Sequence, residues 1–143
     1  MTHLPPPITH TVQITAINAR IVSRVLEVVF DDGKQFALPF ELMRVYSPSA
    51  EVRGHGEGQE TLQIGKRQVS ITGIEPVGNY GIKPIFTDDH STGIFTWNYL
   101  YWLGLHEEVL WADYLSRLET AGFSGDTGRD ALPSPKASGK CGS

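Results

Sequence analysis

Cysteine is almost missing from this chain: of 143 residues only Cys141 carries a thiol. An intrachain disulfide is therefore excluded, and so is a cysteine-ligated metal centre built within one chain. Basic runs are missing too. Twelve Lys and Arg stand against sixteen Asp and Glu, a formal charge of −4, and the longest basic run is the pair Lys66-Arg67. Nucleic acid and anionic membrane both require a concentrated basic face, so neither is expected as a partner. No apolar run approaches the roughly 20 residues of a spanning helix. Met1–Pro7 lacks the basic and apolar regions of a signal peptide, so a cytoplasmic location is expected.

What is present is ordinary for a globular protein: 40% hydrophobic and 20% charged residues, in a length suited to one domain. Residues 1–10, with Pro5-Pro6-Pro7, read as a flexible leader outside the core. A β region opens at Thr11–Ile17. Leu26, Val28 and Phe30 alternate with polar or outward positions, as do Phe36, Leu38 and Phe40, and Asp31-Asp32-Gly33 lies between the two runs. Alternation on both sides of a glycine-ended turn predicts a β-hairpin. Glu41–Tyr46 reads as a short helix and residues 47–58 as a loop. A second hairpin is expected over 61–71 around Gly65-Lys66, then a bend at 74–78 and a strand over 80–86.

Past residue 97 the period changes. Trp97–Leu103 predicts a short helix, and Glu107–Ala121 a longer one with Leu110, Trp111, Tyr114, Leu115 and Leu118 along one stripe. Gly122 stands where a helix-ending glycine belongs, with Phe123 placed to cover Leu118. Residues 124–143, rich in Gly, Ser and Pro, read as a disordered tail. The expected fold is α+β: a small β-rich body of antiparallel hairpins, residues 11–123, covered by a short and a longer C-terminal helix.

The densest polar cluster is Thr87–Trp97, between the strand-like and helix-like halves. Asp88, Asp89 and His90, with His55, compose a candidate N/O site for iron or another metal. Neighbouring strand residues point opposite ways, so both aspartates face one ion only where the backbone turns between them. His55-Gly56-Glu57 has the His-x-acid form of a non-haem iron triad, with His90 or His106 as its distant histidine, but the chain is too short for an oxygenase barrel. No nucleophile–base pair is recognisable, so no catalytic residue is assigned. Trp97–Leu103 holds more large apolar side chains than one buried stripe accommodates. Tyr101, Trp102 and Trp97 are therefore candidate partner-binding anchors.

Three segments, taken together, resemble a known family. They are Ser47-Pro48-Ser49-Ala50-Glu51-Val52 with Gly54-His55-Gly56, Ile74–Tyr80, and Asp88–Leu100. In this order they are similar to the gamma-butyrobetaine hydroxylase-like N-terminal domain, whose stand-alone bacterial form is domain of unknown function 971. The resemblance spans roughly residues 12–122. It implies a zinc site of three cysteines and one histidine, as in the eukaryotic hydroxylases, and a link to iron–sulfur carrier ATPases through fusions. The histidine position falls on His90, and the cysteine positions fall on Ser47, Ser49 and Val52. Hydroxyls are poor zinc ligands near neutral pH and valine is none, so that zinc is expected to be lost. His90 then reads as a structural tie between the 87–92 segment and the former zinc loop.

Three functional readings follow. The first is a non-catalytic accessory or adaptor domain with a protein partner or a second copy of itself. Its contacts would come from the loop at 47–58, the 88–95 stretch and the helix after it. The second is a metal-binding protein, of iron or zinc, serving iron or iron–sulfur metabolism. The third is a small enzyme or the partner subunit of an oxygenase.

Overall fold

Strict alternation shapes the N-terminal sheet. In β2 (Val25–Phe30) every second side chain is buried, and β2 pairs antiparallel on both sides, with β1 (Ile14–Arg20) and β3 (Gln35–Pro39). Leu26 stands opposite Leu38, and Val28 opposite Phe36, so one face of the sheet is continuously apolar. Asp31-Asp32-Gly33 makes the β2–β3 turn as expected: Gly33 has φ +89°, and Asp32 accepts the Lys34 N–H at 3.0 Å. The structure, a computed structural model, describes residues 4–8, 11–49, 62–88, 90–91, 93–124 and 127–130.

Pro39 ends β3 and leads into α1 (Phe40–Val45), a helix whose six side chains are all buried. A second antiparallel sheet follows, β4 (Ile71–Val77), β5 (Gly81–Phe86) and the two-residue β6 (Phe95–Thr96). Thr96 caps α2 (Trp97–Leu105) by accepting the Tyr99 N–H at 3.1 Å. Next comes α3 (Glu107–Thr120). It ends in a Schellman arrangement: Phe123 N–H reaches Leu118 O, Gly122 N–H reaches Glu119 O, and Gly122 has φ +106°. The fold is α+β, two small antiparallel sheets with helices, and its core runs from Leu26, Val28 and Leu38 through α1 to Leu103, Leu110 and Tyr114. Gly104 lies on the Phe36 ring so closely that a Cβ would collide with it, which seats α2 on the first sheet.

Several expectations are corrected. β1 lies three residues later than predicted. The second hairpin is not at 61–71 but joins β4 and β5 through Gly78, which has φ +53°. Residues 62–70 form no strand. Gly65 does adopt a left-handed turn (φ +68°), but its N–H bonds to Gly128 O instead of closing a hairpin. Described residues of the leader are not outside the core: Leu4 and Ile8 pack on it, and Pro5 O and Ile8 O accept from Trp102 and Asn98 of α2. The tail is not wholly unstructured either. Thr127–Asp130 forms a 3₁₀ turn with Gly128 buried against Leu118 and Phe123. Among the described residues no helix is long and apolar enough to cross a membrane.

Candidate functional site

Two turns bring the polar cluster together. After α1, Tyr46 N–H bonds to Leu42 O and Ser47 N–H to Arg44 O, which folds Ser47 and Ser49 inward. After β5, Phe86 N–H bonds to His90 O, closing a tight loop, and Asp88 Oδ1 accepts the His90 N–H at 3.3 Å. The loop is a local consequence of Asp at position 88, whose short side chain bonds its own backbone two residues on. It aims the His90 ring at the first turn.

His90 is 6% exposed, with Nε2 2.9 Å from Ser47 Oγ and 3.3 Å from Ser49 Oγ. Its ring rests against Phe86, centroids 6.0 Å apart. A Cβ on Gly93 would strike Ser47 Oγ, so only glycine lets the chain leaving His90 pass so close. His90 thus ties residues some forty positions apart.

Beside this tie lies an ion cluster. Asp88 Oδ2 accepts from Arg44 Nε at 2.8 Å and from Lys66 Nζ at 2.6 Å. Burial pushes the Asp88 carboxyl up, but the Lys66 ammonium and Arg44 guanidinium outweigh it and hold it below the usual range. Arg44 is itself buried, and among the described residues its Nη1 meets no hydrogen-bond partner. The aspartate expected to bind metal is therefore turned toward two cations.

The sequence-derived sites sort as follows. His90, Ser47 and Ser49 converge; Asp88 joins them through the backbone only. Asp89, His55 and Val52 lie outside the described residues. Among the described residues no group of three or more His, Cys, Asp or Glu gathers as ligands would. Two hydroxyls and an imidazole do not fit zinc: a serine keeps its proton near neutral pH and offers no thiolate charge. These groups instead complement one another as hydrogen-bond donors and acceptors.

The aromatic anchors are corrected. Tyr101 is 3% and Trp102 7% exposed. Tyr101 packs edge-on to Phe30 and Phe36 and donates to Asp32 Oδ2 at 2.6 Å. Trp102 stacks on Tyr99 and donates from Nε1 to Pro5 O at 3.2 Å. The apolar excess of α2 is absorbed by three coverings: the first sheet, α3 and the leader. His106 sits between the helices, against the Trp102 ring. Trp97 is half-buried, its Nε1 donating to Asn79 O at 2.7 Å. Exposed large apolar residues lie elsewhere, Tyr80 at 54% and Ile94 at 41% among them.

Sequence reasoning also missed the charges of α1. Arg44 meets Asp88, and Glu41 meets Tyr114 and Arg129. Two ionised residues in an otherwise apolar six-residue helix were the available signal, since charges are seldom buried unpaired.

The model of the family described as gamma-butyrobetaine hydroxylase-like, N-terminal, matches residues 17–101. Two proteins with NMR solution structures share the fold. One is 46% identical, with 84% of this chain and 89% of that one covered and a TM-score of 0.71. The other is 43% identical, with 86% and 94% covered and a TM-score of 0.69. A crystal structure from Acidithiobacillus ferrooxidans ATCC 23270, of a DUF971-family protein of unknown function, is 37% identical over 62% of this chain and 88% of its own, with a TM-score of 0.47. No curated protein matches the chain.

Proposed function

Because this chain belongs to the gamma-butyrobetaine hydroxylase-like N-terminal family and its Ser47, Ser49 and His90 bond one another, we propose that it is a non-catalytic accessory domain contacting another protein. Its setting is the cytoplasm, without a bound zinc. The observation that carries this reading is the surface around β6. Tyr80 precedes the β5 residue that pairs with Thr96, and Ile94 immediately precedes β6, so both exposed side chains flank one short edge strand.

The backbone beneath them is tied by hydrogen bonds. Trp97 N–H donates to Tyr80 O at 3.0 Å, and the Trp97 indole to Asn79 O. Large apolar side chains held exposed on fixed backbone are the kind of anchor that protein interfaces use. The face also adjoins the His90–Ser47 tie, since Gly93, next to Ile94, lies against Ser47. This moves the expected contact from Tyr101 and Trp102 to Tyr80, Ile94 and the exposed part of Trp97, still within the helix-flanking stretch. The partner is expected to be a protein and not nucleic acid or membrane, given the charge of −4 without basic runs.

The test is a photo-crosslinking residue placed at Tyr80 in cells. One defined adduct, lost on Ile94→Asp, is the expected result. A self-adduct would identify a homodimer through the same face. Absence of any adduct, at 80 and at 94 alike, sinks the reading. Near-stoichiometric iron or zinc in protein purified without a tag would favour a metal carrier instead.

A further inference from the structure

Four residues near the C-terminus are held as a peptide is held by a receptor. Glu41 of α1 is buried, and its carboxylate takes Arg129 in a two-point grip, Nε to Oε2 at 2.8 Å and Nη2 to Oε1 at 2.7 Å. Tyr114 of α3 donates to the same Oε2 at 2.9 Å, fixing the carboxylate from behind. The Arg129 guanidinium lies over the Trp111 ring, 4.9 Å from its centre. Asp130 Oδ1 accepts from Arg67 Nε at 2.7 Å. Main-chain contacts complete the grip: Gly65 N–H donates to Gly128 O and Arg67 N–H to Arg129 O. At Gly128 a Cβ would press into Leu118 and Phe123, so this position admits no side chain.

Three consecutive positions are thus read separately: glycine by exclusion, arginine by a carboxylate and an aromatic shelf, aspartate by a guanidinium. The receptor side is fixed, since α1 and α3 belong to the core. The occupant side buries less: Thr127 and Asp130 are exposed, Arg129 is half-buried, only Gly128 is buried, and the side-chain contacts include two ion pairs and one stacked ring. Segments with so little apolar burial open at low free energy, while the helices beneath them stay folded.

We propose that the surface made by Glu41, Tyr114, Trp111, Leu118 and the 65–67 backbone with Arg67 is a docking groove for a Gly-Arg-acid segment of a partner protein. The chain's own Thr127–Asp130 occupies it as a tethered ligand, and the partner's segment displaces that ligand. Tethering sets the threshold. A short link gives an effective concentration on the order of mM, which a competitor must match.

The probe is an acetylated, fluorescent peptide, Gly-Asp-Thr-Gly-Arg-Asp-Ala, titrated against full-length protein by anisotropy. Arg129→Ala, which loosens the tethered ligand, is expected to bind it saturably and at least tenfold more tightly than wild type. A peptide with alanine for arginine, or the addition of Glu41→Gln to Arg129→Ala, is expected to abolish binding. Equal, absent binding to wild type and to folded Arg129→Ala overturns the proposal, as does binding indifferent to the peptide's arginine. A second measurement needs no variant. In ¹⁵N-labelled wild type, millimolar unlabelled peptide is expected to move the signals of Thr127–Asp130 to random-coil positions while those of α1 and α3 persist. Unmoved signals overturn it. Exchange of this segment between two copies, seen as a concentration-dependent dimer that the peptide does not dissociate, also counts against a partner's segment.

Discussion

His90 Nε2 and Ser47 Oγ lie 2.9 Å apart, joining the turn after α1 to the loop after β5 across 43 positions of sequence. The pair is buried, and Ser49 Oγ reaches the same nitrogen. Replacing His90 by alanine leaves two hydroxyls without that partner and a void beside Phe86. We expect His90→Ala to lose about 2–3 kcal/mol, and Ser47→Ala about 1 kcal/mol. Urea unfolding of each, with and without chelator, checks this. The chelator is expected to change none of the midpoints.

Gly93 supplies a sharper test of the same contact. Gly93→Ala places a methyl group against Ser47 Oγ, and overpacking of this kind costs about 1–3 kcal/mol. In Ser47→Ala/Gly93→Ala the obstructing oxygen is gone, so the double variant is expected to lose less than the sum of the singles. A double-mutant cycle from denaturant midpoints reads that coupling directly. Strict additivity would contradict the geometry.

Asp88 makes acid stability predictable in sign. Its folded-state value is depressed below the unfolded value of about 3.9 by Lys66 and Arg44, against the upward push of burial. The contribution of the cluster is therefore complete above the unfolded value. It is lost as pH falls through the lower folded one. Wild type is expected to exceed Asp88→Asn by a constant margin above about pH 5, shrinking below about pH 4. Midpoints measured from pH 3 to 7 would show it.

Trp102 and Tyr80 are expected to differ in kind. Trp102→Ala removes a buried ring stacked on Tyr99 and bonded to Pro5, at about 3–5 kcal/mol. Tyr80→Ala alters an exposed turn residue and is expected to stay within about 0.5 kcal/mol. Thermal melts separate them. A Tyr80→Ala that melts far below wild type would mean that this face is structural.

Much of the sheet and helix content was legible because period alone carries it. Leu26, Val28 and Phe30 announce β2, and the 110–118 stripe announces α3. The β4–β5 hairpin was misplaced because Gly65 and Gly78 are equally good turn residues by sequence. What separates them is that Gly65 hands its N–H to Gly128, 63 positions away. The burial of Tyr101 and Trp102 was hidden for the same kind of reason. Their coverings, Asp32 and Pro5, come from remote sequence, and no local pattern names them. The Ser47–Ser49–His90 meeting was legible only through the family resemblance, since spacing alone does not say that residues 47 and 90 touch.

The six-residue helix α1 has one further consequence, for how the chain is made. Glu41 leaves the ribosome long before Arg129, which follows 88 residues later. At about 5–20 residues per second this is an interval of roughly 4–18 s. Throughout it the carboxylate of Glu41 has no guanidinium to hold it, while the Tyr114 hydroxyl, which emerges earlier, already reaches the same oxygen. The Glu41–Arg129 pair is therefore among the last contacts of the fold to form, and a nascent chain stopped before residue 129 would carry Glu41 with the Tyr114 hydroxyl and no guanidinium.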